Sequence, residues 1–270
     1  MKRKRDFTVT LLVSTYNKPD YLRQTLLSVA RQTVLPDEVV VADDGSTDET
    51  RQLIDDMRSI VPVPIQHVWH PDTGFRLSEI RNKAIAAAKG EYIIQIDGDV
   101  VLERHFLADH LDVAEPGAFV CGSRLLLTPR YTQKVLGDGM KVKSGFSSKF
   151  DHMLNNLRIG WLRRYMAPRF AKGQPDRLRG CNMAFWKSDL IAVNGYNEDM
   201  ASWGGEDIEI AWRLIYCGVQ KKMLKFGGVM YHLYHPEASR DKVSMHNEII
   251  DAVKRERSAR CLNGLDKHLQ

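Results

Sequence analysis

The amino-terminal part of the chain alternates short apolar runs with segments of helical period, and this alternation restricts the fold more than any other feature. Residues 9–13, 38–42, 64–69 and 92–96 read as strands. Between them Leu22, Thr25, Leu26 and Val29 recur at helical spacing behind Pro19, and Ile80, Ala84, Ile85 and Ala88 do so ahead of a stop at Gly90. Ser46 followed by Glu49 reads as a capping box that opens a helix reaching Ile60. Strands alternating with helices specify an α/β fold: a mostly parallel sheet, helices on both faces, and ligands beyond the strands' carboxyl ends. Ser14-Thr15-Tyr16-Asn17, Asp43-Asp44-Gly45-Ser46 and Asp97-Gly98-Asp99 each follow a strand directly, so they are expected to meet on one rim.

The second half is less regular. Residues 119–127 read as one strand, residues 182–186 as another, and Ser188 as the cap of a short helix through Val193. After Gly204 the helical period returns, with Ile208, Ala211, Trp212 and Ile215 inward and a stop at Gly218. A strand near 228–232 and a polar helix over 242–260 follow. No repeat, low-complexity tract or linker divides the 270 residues, so one domain with two lobes is expected.

Charge and cysteine content exclude several classes. A net charge of +5 does not by itself argue for nucleic acid. The basic excess is local: ten Lys and Arg between 141 and 180 face only Asp151 and Asp176. That stretch reads either as a solvated face or as a surface for anionic acceptors or acidic lipid headgroups. Four scattered cysteines without a CxxC pair fit a reduced compartment rather than a disulfide framework. No apolar run is long enough for a signal peptide or a membrane span. The expected location is cytoplasmic, with peripheral contact on the inner face of the membrane through the basic stretch.

Asp97 and Asp99 offer hard oxygen ligands suited to Mg²⁺ or Mn²⁺ bridging a diphosphate. Asp44 offers a hydrogen-bond acceptor to a base, and Thr15, Tyr16 and Asn17 offer partners for the same base and its ribose. Gly204, Gly205, Glu206 and Asp207 place two acids at a helix start behind glycines that admit a ligand closely. A carboxylate there can take the proton of an attacking hydroxyl. Trp203 is a candidate sugar-stacking ring, and His232 or His235 a candidate imidazole ligand beside Asp99. Arg81 and Asn82 lie within reach of a diphosphate or sugar, or serve packing.

Taken together, Ser14-Thr15-Tyr16-Asn17, Asp43-Asp44-Gly45-Ser46-Thr47-Asp48, Asp97-Gly98-Asp99 and Trp203-Gly204-Gly205-Glu206-Asp207 resemble the family 2 inverting glycosyltransferases of the GT-A fold. The later part is similar to galactosyl- and N-acetylgalactosaminyltransferases with a WGGED motif and to chondroitin-type polymerase domains. The resemblance implies a Rossmann-like sheet with a nucleotide-sugar half over about 7–115, a smaller acceptor lobe over about 116–236 and a helical tail over 237–270. It implies a UDP-sugar donor of galactose or N-acetylgalactosamine type, a saccharide or lipid-linked acceptor, and Mn²⁺ or Mg²⁺. Asp44 would bind uracil and Asp97 the ribose or diphosphate. Asp99 and His232 would hold the metal, with Asp97 and His235 as rivals. Asp207 would be the base, and Trp203, Gly205 and Glu206 would line the donor sugar and acceptor. Arg179 and Asn182 would shape the acceptor side. A nucleotidyltransferase and a non-catalytic nucleotide-sugar or glycan-binding module are the competing readings. The first lacks a glycine- and lysine-rich phosphate loop, and the second leaves three acids without a task.

Overall fold

Strands β1 (Val9–Thr15), β2 (Glu38–Asp43), β3 (Ile65–Trp69) and β4 (Tyr92–Asp97) pair in parallel, and β6 (Ala118–Cys121), β8 (Asn182–Trp186) and β9 (Gln220–Met223) extend the sheet. The order is β3-β2-β1-β4-β8-β6-β9, and β8 alone runs against its neighbours. The structure, a computed structural model, describes residues 5–138, 142, 157–202, 204–236 and 243–269, and the statements below concern those residues.

Side chains along a strand alternate between faces, and here both faces are buried, which is why the strands are continuous apolar runs. Leu11, Val13, Val39 and Val41 point to one face, where they pack with Leu22 and Leu26 of α1 (Pro19–Val29) and Leu53 and Ile54 of α2 (Asp48–Met57). Phe106 and Leu107 of α4 (Phe106–Val113) join the same cluster. Leu12, Val40 and Ala42 point to the other, against Ile80 and Ala84 of α3 (Leu77–Ala87). Leu190 of α7 (Lys187–Ala192) and Ile210 and Leu214 of α8 (Glu206–Tyr216) complete that layer.

A smaller sheet, β5 (Val100–Leu102), β10 (Met230–His232) and β7 (Leu125–Leu126), sits beyond β4 and forms its own cluster with α5 (Pro129–Asp138). The expected single strand over 119–127 is therefore two strands in two sheets. The break falls at Gly122, where a Cβ would lie 2.3 Å from the Asn182 amide. The capping box is also corrected. α2 starts at Asp48, and the Ser46 hydroxyl instead accepts the Asn17 N–H at 2.8 Å, tying two rim loops together. β5, β9, α4, α5 and α6 (Gly160–Met166) carried no clear sequence signal, and α9 (Val243–Glu256) is shorter than the predicted helix. No helix among the described residues is long and apolar enough to cross a membrane.

Candidate active site

The strand register brings the polar clusters together as their positions imply. Ser14 is level with Asp97 of β4, and Thr15 with Asp43 of β2. The Asp44 N–H donates to the Thr15 carbonyl at 3.0 Å and the Gly98 N–H to the Ser14 carbonyl at 2.7 Å, so all three rim loops are tied.

Arg81 of α3 is buried at the centre of the rim. Its Nη2 lies 3.4 Å from Asp97 Oδ1, and its Nη1 lies 3.1 Å from Asp207 Oδ1 and 3.3 Å from Glu206 Oε1. Nε donates to Ser14 Oγ at 3.3 Å, and the guanidinium stacks 5.1 Å from the centre of the Tyr196 ring. Burial works against its charge, but Asp207, Glu206 and Asp97 outweigh that and hold it protonated. One guanidinium thus joins carboxylates that are distant in sequence, and Asp97 and Asp207 both face Arg81 on the same rim.

The single proton of the Tyr196 hydroxyl is shared between Gln95 Oε1 at 2.8 Å and Asp207 Oδ1 at 3.3 Å. Burial pushes the Asp207 carboxyl up to about 7; Arg81 opposes the shift and the charge of Glu206 adds to it. Asp97 is likewise raised by burial to about 6, against Arg81 and with the help of Asp99 and Asp207. Gly180 lies against Asp207 so closely that a Cβ there would fall 1.5 Å from Oδ2. Glu206 Oε2 is buried with no hydrogen-bond partner among the described residues.

A second cluster surrounds Asp99. His235 Nε2 is 2.9 Å from Asp99 Oδ2, and His232 Nε2 is 3.4 Å from Oδ1. One ligand atom from each of the three residues lies within 4.8 Å of the others. His232 Nδ1 donates to the Leu233 carbonyl at 2.9 Å and His235 Nδ1 to the Pro236 carbonyl at 2.8 Å. Those bonds fix the tautomers and turn both Nε2 lone pairs towards the carboxylate. Asp99 Oδ1 is buried without a hydrogen-bond partner. Two lone pairs facing an anion fit a divalent cation better than one another, so the donor set suits Mn²⁺ or Mg²⁺. Without a metal, protonated imidazoles reverse this contact. Against the pull of burial, a hydrogen bond from His235 and the positive charges of His232, Lys18 and His235 then hold the Asp99 carboxyl below its usual range, with Lys18 Nζ 3.4 Å away. Both histidines therefore reach Asp99, and Asp97 faces Arg81 instead.

Asp44 sits one loop away, with Oδ1 2.7 Å from His70 Nε2 and Oδ2 accepting the Arg76 N–H at 3.0 Å. Burial raises its pKa despite these partners. Tyr16 is half-exposed and donates to Asp72 at 2.8 Å. Asn17 takes a positive φ of 46° and its Oδ1 accepts the Thr47 N–H at 2.9 Å. Gly205, with φ 98°, caps α8 in a left-handed conformation that favours glycine. Asn82 is buried, and its amide donates to the Tyr196 carbonyl at 2.8 Å, so it packs rather than touching the cleft.

Asn182 is a correction. Its side chain is fully buried, with Oδ1 2.8 Å from His110 Nε2 and Nδ2 donating to the Ser123 and Gly228 carbonyls, so its polar atoms are spent within the fold. Arg179 is exposed and donates to the Leu178 carbonyl. Trp203 lies outside the described residues. Sequence reasoning missed Lys18, Tyr196 and His70, which stand outside any motif. It also missed His246 of α9, which donates from Nδ1 to the Gly204 carbonyl at 2.5 Å and accepts from Ser202 at 2.9 Å.

Residues 10–172 match the model of "Glycosyl transferase family 2". The chain belongs to this family. Residues 166–236 of this family 2 glycosyltransferase also match the "N-terminal domain of galactosyltransferase". It is 30% identical over 229 residues to validoxylamine A glucosyltransferase of Streptomyces hygroscopicus subsp. limoneus, covering 78% of this chain and 48% of that one. It is 25% identical over 248 residues to chondroitin synthase of Escherichia coli, covering 84% and 35%. The chain thus spans about half or less of these relatives' length. Among solved structures, S. aureus TarS in complex with UDP-GlcNAc superposes with a TM-score of 0.63 at 18% identity, covering 91% of this chain and 66% of that one. The Pyrobaculum calidifontis mannosyltransferase PcManGT, in complex with GDP-Man and Mn²⁺, gives 0.60 at 21%, covering 94% and 66%. The fold is GT-A.

Proposed function

We propose that the protein transfers a sugar from a UDP-sugar, of galactose or N-acetylgalactosamine type, to a saccharide or lipid-linked acceptor, with inversion at the anomeric carbon. The observation that carries this reading is Arg81, which fixes Asp207 beside Asp97 on the rim that also carries the Asp99 cluster. Asp44, Thr15, Tyr16 and Asn17 form the side where the base and ribose would lie. Asp97 is the ribose or diphosphate partner. Asp99, His232 and His235 would hold Mn²⁺ or Mg²⁺, which when bound offsets charge on the departing diphosphate. Glu206 and Gly205 line the sugar and acceptor, and the unpartnered Glu206 Oε2 is suited to accept a sugar hydroxyl.

Asp207 takes the acceptor hydroxyl's proton as that oxygen bonds to the anomeric carbon. The bond from carbon to the β-phosphate oxygen breaks on the opposite face, and its electron pair leaves with UDP. A base whose pKa is lifted near neutrality accepts a proton more readily than an ordinary carboxylate and is still ionised at working pH. The galactose preference is supported by the match of residues 166–236, the nucleotide by the UDP-GlcNAc complex of TarS, and the metal by the Mn²⁺ complex of PcManGT. Four free cysteines support a reduced, cytoplasmic setting.

The test is a screen of UDP-sugars for UDP release with Mn²⁺ present. One or two donors should be hydrolysed slowly, and Asp99→Ala should remove the Mn²⁺ dependence of UDP binding. If every UDP-sugar is ignored, the donor assignment fails; if UDP binds Asp99→Ala as tightly as wild type with and without Mn²⁺, the metal role of Asp99 fails.

A further inference from the structure

We propose that the outer face of α6 docks the protein on an anionic lipid bilayer. Leu157, Trp161 and Tyr165 follow one another at four-residue intervals and are 43%, 72% and 55% exposed. Within α6 that spacing puts Trp161 and Tyr165 on one side of the helix, and Leu157 is exposed just ahead of its start. A tryptophan left so bare is unusual in a water-soluble surface, and Trp with Tyr is the pair that settles at the headgroup level of a membrane.

The face is held rigidly. Arg158 and Arg163 bind Asp109, and Arg163 and Arg164 bind Asp112, which clamps the inner side of α6 to α4. The aromatic side is thereby turned away from the body. The remaining cations of the region are unspent: Arg169, Lys172, Arg177 and Arg179 pair with no carboxylate among the described residues. Arg169 stacks 4.3 Å from the centre of the Tyr165 ring, so positive charge adjoins the aromatic stripe itself. An aromatic stripe with an uncompensated cation stacked on it, in a segment with further unpaired cations, complements a surface that is apolar beneath and negative on top.

The position gives this a consequence. Immediately after α6, the Ala167 carbonyl accepts the N–H of Met223, the last residue of β9, at 2.8 Å. β9 is parallel to β6, and both run in the direction of β4, because each of β4 and β6 is antiparallel to β8. The carboxyl end of β9 therefore lies on the rim that bears Asp97 and Asp207. Docking through α6 would bring that edge of the rim near the bilayer, where a lipid-anchored acceptor would be presented. Only this last step rests on the transfer reading.

The experiment is co-sedimentation of the full chain with phosphatidylcholine vesicles, with and without about 30 mol% phosphatidylglycerol. Wild type should bind the anionic vesicles and not the neutral ones, and the Trp161→Ala/Tyr165→Ala pair should lower the partition coefficient by about tenfold or more. Arg169→Gln/Lys172→Gln should lower it too and weaken its salt dependence, a second readout should the aromatic pair fold poorly. Release of UDP without acceptor should be unchanged in both. Equal binding by wild type and variants, or none by wild type, overturns the proposal. So does a lipid-free dimer that the aromatic pair dissolves, since the stripe would then be a contact between copies. Absent donor turnover with vesicle binding intact removes the transfer reading and leaves the docking face standing.

Discussion

Asp207 is an acid whose surroundings are set for one task. Burial lifts its pKa to about 7, while Arg81 and the Tyr196 hydroxyl keep its ionised form accessible. Turnover limited by this base should rise as pH climbs through about 7 and level off above it, because only the ionised carboxylate accepts a proton. Asp207→Asn keeps the shape and removes the base, so kcat should fall by roughly 10²–10⁴ with UDP affinity within about twofold of wild type. Initial rates from acid to alkaline pH, with titration of UDP into both proteins, decide it. A variant that keeps the same ascending limb would show that another group takes the proton. The residues whose placement was legible in the sequence were those carried by short motifs, Asp97 and Asp99 at a strand end and Asp207 at a helix start. Arg81 was visible only as one of two polar residues on a helix, because its role depends on three carboxylates that the fold assembles around it.

At the scale of elements, legibility followed period and length. β1, β2 and β4 are buried along almost their whole length, so each is a largely apolar run with a polar stop, while β3, at the sheet edge, is only part-buried and was legible from its β-forming residues. The three-stranded sheet was not legible. β5, β7 and β10 are two or three residues long and gain their pairing from one another, not from local preference. Asn182 was misassigned for the same reason: its partners, His110, Ser123 and Gly228, come from distant segments. The approach of β8 to α8 has its own test. Gly180 has no room for a side chain because the Asp207 carboxylate occupies the space. Gly180→Ala should push that carboxylate off Arg81 and lower kcat by about 10²-fold, with a far smaller effect on donor binding. Circular dichroism and donor titration alongside the rate separate displacement of the base from loss of fold. Full activity in a folded variant would mean that Asp207 tolerates a shift larger than a productive geometry allows.

The whole molecule carries these carboxylates at a cost to its stability. Asp97 and Asp207 ionise at about 6 and about 7 in the folded chain, above the ordinary carboxylate range of the unfolded one. A carboxyl raised in this way contributes stability that is present below the unfolded value and lost as pH rises through the folded value, because the native state holds the proton longer. Between about pH 4 and about pH 7 the wild-type protein should therefore lose stability that a neutral amide at position 207 does not. The Tm of Asp207→Asn minus that of wild type should be level in acid, increase across this window and level off above it. Thermal melts of both proteins at constant ionic strength, without nucleotide or metal, measure the difference. Titrating groups remote from Asp207 are shared by the two proteins and cancel in the subtraction; Asp97, which the Asp207 charge helps to raise, should ionise lower in the variant and so shift the difference in the same direction. A difference that stays flat or declines with pH would mean that Arg81 compensates the charge completely, and the lifted base would lose its thermodynamic support. A rising difference would tie the same burial to both effects: it weakens the resting fold and tunes the group placed to take the acceptor's proton.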